Sequence, residues 1–260
     1  MVKRNFWLRM VIMLLALTGM INILFNQTEV GLIIIFLSLV VLWINVMLNA
    51  KDKKKYQQIA MLFLEKLDVE AYIEEYTKFR ANLYTNDFEK SIDELSILLC
   101  KTTISHKYPI YDELMAKVEV EKEYSSVEKF LYYQAWFEYY LDQRNIGKAE
   151  YMQYQMERLY PRLPVQIKKY ISKEISVNRL TLNVYLKEHI PQTEMILSRL
   201  LQQKISKLSF IQTMYLLGII SYNQKDYLTA NYRFSYVYNN SNDTKWKEAA
   251  KAYLDVLETI

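Results

Sequence analysis

The chain has 260 residues, 52% of them apolar, and a formal net charge of +4. Its single cysteine, Cys100, excludes an internal disulfide framework. Two histidines, His106 and His189, leave little for a zinc site, and four glycines speak against phosphate-cradling loops. Residues 1–50 carry +2 and 51–55 carry +3, which leaves −1 for 56–260, so no concentrated basic face recommends a nucleic-acid partner.

The first elements expected along the chain are apolar. Residues 30–48 hold no charge, and the stretch from about 5 to 25 is nearly as apolar. About twenty helical residues cross a hydrocarbon core, so the two stretches, 5–25 and 30–49, read as a transmembrane hairpin occupying 1–50. The first run is too long for a signal peptide and lacks a small-x-small site before Asn26. Lys3, Arg4 and Arg9 precede the hairpin and Lys51, Lys53, Lys54 and Lys55 follow it, which expects a multi-pass protein of the cell membrane with both termini in the cytoplasm. The lysine cluster opens a basic juxtamembrane and linking segment, 51–68, beside the lipid bilayer.

From Tyr56 onward apolar residues recur at three- and four-residue spacing, as in Tyr72, Ile73, Tyr76, Phe79 and Leu83, and again in Ile92, Leu95, Leu98 and Leu99. The pattern lapses at 85–87, 106–109, 125–126, 143–147, 161–164, 190–191, 223–226 and 239–243, each rich in Asn, Asp, Ser, Gly or Pro. Helices of about 12 to 20 residues joined so briefly must pack antiparallel, which predicts an all-α chain of helical hairpins over 69–260. Val177, Leu180, Leu182, Val184 and Leu186 nearly alternate and leave a strand open there, but no partner strand is visible.

Residues 211–239 carry a repeat pattern. Leu217 and Gly218 form an adjacent pair on a first helix, Asp226 stands at the turn, and Tyr227, Ala230 and Phe234 are spaced along a second. This segment resembles a tetratricopeptide repeat. Gly218 and Ala230 are small where the helices of such a hairpin touch, and Tyr227 and Phe234 fill the space around them. A more degenerate copy starts at Phe130, with Trp136, Phe137, Tyr140, Ile146, Ala149 and Pro161; Phe137 stands where the family has glycine. A third candidate, 72–101, keeps Phe88, Leu95 and Leu98, with Phe79 at the glycine position, and a fourth, about 170–204, keeps Ile196 and Leu200. Second helices are expected to start near 87, 146, 192 and 226. Residues 244–257 read as a helix capping an α-solenoid.

The resemblance implies a concave face lined by first helices: Gln134, Glu138 and Leu141 in one repeat and Gln212, Tyr215, Ile219 and Tyr222 in another. Such a face binds another protein or a peptide segment. Among 23 tyrosines, those facing the groove would form a recognition surface.

Catalytic material is sparse. Cys100 lies among Ile97, Leu98 and Leu99 and reads as a buried thiol, and neither histidine has a carboxylate at metal-ligand spacing. Glu74-Glu75, Asp93-Glu94 and Asp112-Glu113 diverge around helices. No enzyme, cofactor or metal is therefore expected. The expected function is a membrane-anchored cytoplasmic scaffold or adaptor. Alternatives are a peptide-responsive sensor and an accessory or protective subunit acting through the hairpin. Heavy use of Lys, Ile, Asn and Tyr suggests a bacterium with an AT-rich genome.

Overall fold

The computed structural model describes residues 11, 14, 15, 18, 28–81 and 87–259. Among them every regular element is helical. The helices are α1 (Thr28–Leu64), α2 (Val69–Ala81), α3 (Asp87–Lys101), α4 (Ile110–Met115), α5 (Ser126–Asp142), α6 (Ile146–Leu159), α7 (Val165–Leu186), α8 (Ile190–Leu201), α9 (Lys207–Asn223), α10 (Tyr227–Asn240) and α11 (Lys245–Leu257). Short 3₁₀ turns occupy Thr102–Lys107, Val120–Glu123 and Tyr160–Arg162. The near-alternating stretch 177–186 lies inside α7, because its Leu180, Leu182 and Val184 all find apolar cover in the helical state.

The membrane placement is corrected. No helix among the described residues is long and apolar enough to cross a membrane. Residues 30–48 belong to a helix of 37 residues that runs on through Asp52 and the lysines at 51, 53, 54 and 55, so these charges sit inside the helix and do not flank a span. Most of the first expected span, with Lys3, Arg4 and Arg9, lies outside the described residues. The multi-pass, both-termini-cytoplasmic reading falls with this.

The chain divides into two compact units, 1–61 with 74–87 and 62–73 with 88–260. In the first, Ile59, Tyr76 and Phe79 are buried, Tyr56 meets Tyr76 edge-on at 6.2 Å, and the Lys55 ammonium lies 5.6 Å from the Phe79 ring. The third expected repeat, 72–101, is therefore split between units, and its Phe88 is exposed.

The second unit is built from sequential packing: α5 on α6, α6 on α7, and so on to α11. Two hairpins dominate, α5–α6 and α9–α10. Ser125 and Ser206, 81 positions apart, cap their first helices by accepting from the amides of Glu128 and Ser209. The turns match bond for bond. Arg144 and Lys225 adopt left-handed φ values of 55° and 64°. The amides of Asn145 and Asp226 reach back to the carbonyls of Tyr140 and Ser221 at 2.8 and 2.9 Å. The Asn145 and Asp226 side chains then accept from Lys148 and Thr229, starting the second helices. In α9–α10 the core is tight: a Cβ on Gly218 would come within 2.7 Å of the Phe234 ring, and Ala230 is fully buried. In the fourth expected repeat it is Leu197 that is buried, whereas Ile196 is exposed, a one-residue shift of the apolar stripe.

The ends of this unit meet. The α11 helix packs on the 3₁₀ turn Thr102–Lys107, Lys107 pairs with Asp243 at 2.5 Å, and the Asn242 side-chain amide donates to the Lys66 carbonyl at 2.5 Å. Leu67 joins the apolar cluster of α9, α10 and α11.

Candidate functional site

Between these helices lies a cavity of about 510 Å³. That is the size of an ordinary small-ligand or side-chain site. Its walls come from five regions far apart in sequence. The 3₁₀ turn and the start of α4 supply Ser105, His106, Tyr108 and Tyr111, and the end of α5 supplies Glu138, Tyr139, Leu141 and Asp142. Arg144 enters from the α5–α6 turn, Thr181 and Tyr185 from α7, Gln212, Tyr215 and Leu216 from α9, and Lys245, Trp246 and Glu248 from α11. Six aromatic rings thus face the space beside a few charges.

The charges are mostly engaged. Lys245 pairs with Glu138 at 2.8 Å, both side chains largely buried, which ties α11 to α5. Asp142 accepts the Ser105 hydroxyl at 2.6 Å. His106 Nε2 lies 3.6 Å from Asp243, which Lys107 also holds, and the Lys107 ammonium keeps the Asp243 carboxyl below the usual carboxylate range. The Arg144 guanidinium sits 5.3 Å from the Tyr185 ring centre and donates to the Tyr215 hydroxyl at 3.5 Å. Burial pushes the Tyr185 phenol up to about 12 and raises that of Tyr215 as well, so both remain protonated near neutrality and can donate.

The residues expected on a concave face are distributed as follows. Glu138, Leu141, Gln212 and Tyr215 all line the cavity. Gln134 does not: it is buried in a reciprocal amide pair with Asn178, at 2.6 and 3.2 Å, that joins α5 to α7. Ile219 is buried in the α9 core, and Tyr222 packs against Tyr227 and Tyr253. Sequence reasoning passed over Arg144, Tyr185, Lys245 and Trp246. The one available signal was a long cationic side chain in the short turn at 143–147. Cys100 is buried, and burial pushes its thiol up to about 12, so it stays protonated.

The chain matches no family model, no curated protein and no solved structure. Function must be argued from the cavity itself.

Proposed function

We propose that the chain is a non-enzymatic binding protein that holds a peptide segment of a partner in the cavity of its second unit. The observation that carries this reading is the aromatic-lined space of about 510 Å³ bounded by five regions of the chain. Aromatic rings provide contact area at small entropic cost, and a few placed polar groups fix orientation. Two hairpins with the same turn, together with the Gly218–Phe234 contact, support a tetratricopeptide-like build in which such a space belongs to the first helices.

A photo-crosslinking residue at Gln212 or Tyr111 is expected to trap one recurrent partner, and Ala249→Trp, which fills the cavity, is expected to abolish the crosslink. Crosslinks confined to the chain itself would sink the reading.

A sensor is the second reading, favoured by the exposed Lys107–Asp243 pair where the ends of the unit meet. A ligand bridging α4 and α11 would stabilise that closure, and the melting temperature would rise with ligand concentration.

A further inference from the structure

We infer that Arg144 anchors a ligand carboxylate, and that the ligand is a single carboxylate borne on an apolar or aromatic body. This rests on the cavity being a binding site as proposed above. Arg144 is the cavity cation that has no carboxylate partner among the described residues, whereas Lys245 is held by Glu138, and His106 faces Asp243. Its side chain is solvent-exposed within the open cavity, so a ligand can reach it.

Its position is fixed by the backbone. The left-handed turn that places Arg144 is the same turn that places Lys225, but only Arg144 is laid across a ring, that of Tyr185. That contact takes up no N–H donor of the guanidinium in an ion pair, and a guanidinium fork is the group whose geometry matches a carboxylate. Tyr215, buried and protonated, adds a hydroxyl within reach of the same group.

The acids in the wall decide against larger anions. Lys245 is already held by Glu138, and Asp142 and Glu248 add acids to the wall, so the further charges of a nucleotide or polyphosphate would find no free cation beside Arg144 among the described residues. One carboxylate balances one free guanidinium. Tyr108, Tyr111, Tyr139 and Trp246 supply cover for an apolar body. Two sources share this chemistry: a free aromatic acid, and the C-terminal end of an extended peptide.

The test equilibrates the full chain with two probe sets and measures retention by mass spectrometry. One set is phenylpropionate and indole-3-acetate with their primary amides; the other is a randomised hexapeptide pool made with free and with amidated C-termini. Free acids of one set are expected to be retained about tenfold better than the amides, and that set names the source. Arg144→Gln should abolish the preference without changing the melting temperature, and Lys225→Gln should leave it intact. Equal retention of acids and amides, or an acid preference that survives Arg144→Gln, overturns the inference and leaves the cavity as a binding site. Retention of neither form in either set overturns both.

Discussion

In α9–α10 Gly218 on the first helix lies so close against the Phe234 ring on the second that a Cβ would not fit without moving it. At the corresponding places in α5–α6, 81 positions earlier, the first helix carries Phe137 and the second Gln153, and both are buried. Volume has moved from one helix to the other while the turn is unchanged down to its hydrogen bonds. The comparison teaches that hairpin geometry here resides in the turn, in Ser caps and in Asn145 and Asp226. Packing is solved separately each time. The solutions differ in quality, for the buried Gln153 Oε1 atom has no hydrogen-bond partner among the described residues.

Breaking the larger filling is expected to cost most. Phe137→Ala should lower unfolding free energy by about 3–5 kcal/mol in denaturant titrations, since its fully buried ring leaves a hole. Gly218→Ala should follow at about 1–3 kcal/mol, because the new methyl must displace the Phe234 ring. An unchanged melting curve would mean that Phe234 turns aside freely and that the hairpin contact is loose.

The caps sharpen the comparison. Ser125→Ala should cost about 1 kcal/mol, and more than Ser206→Ala, because Ser125 belongs to a reciprocal box in which Glu128 accepts the Ser125 amide at 2.8 Å. Hydrogen bonds from Ser91 and Ser125 outweigh burial and hold the Glu128 carboxyl below its usual value, so this contribution is present at neutral pH and fades as acid protonates it. Lys225→Gly should stabilise by up to about 1 kcal/mol by relieving a left-handed backbone conformation that a side chain disfavours, without altering ligand retention.

The smallest effect concerns pH. Tyr215 occupies the place that Gln134 holds in the other hairpin, and it lies beside Tyr185 at the cavity. Burial raises Tyr185 from 10.0 to about 12, so its contribution is intact below pH 10 and lost as pH rises towards 12. Melting temperatures at pH 9 and pH 11 should differ less in Tyr185→Phe than in the parent chain.

Much of the helical order was legible locally. Ser125, Asn145 and Asp226 cap helices where the apolar period lapses, and Gly218 and Ala230 mark a helix contact by size alone. Glu138 and Leu141 reach the cavity from α5, and Gln212 and Tyr215 from α9. What escaped depended on distant segments. Gln134 looks like any amide on an amphipathic face until Asn178 arrives from α7. Arg144 looks like a solvated turn residue until Tyr185 and Tyr215 surround it. The apolar run at 30–48 read as a span because a window of hydropathy does not register that the same helix continues through a charged half.

The meeting of Asn242 with Lys66 has a consequence for the order of assembly. That bond joins positions 176 residues apart, whereas each hairpin closes over a few dozen. Loop closure favours the short contacts first, so the hairpins can form as they leave the ribosome, while the cavity waits until α11 has docked against the turn at 102–107. The cavity is thereby a late feature of the folding chain, completed only after the hairpins that wall it have formed.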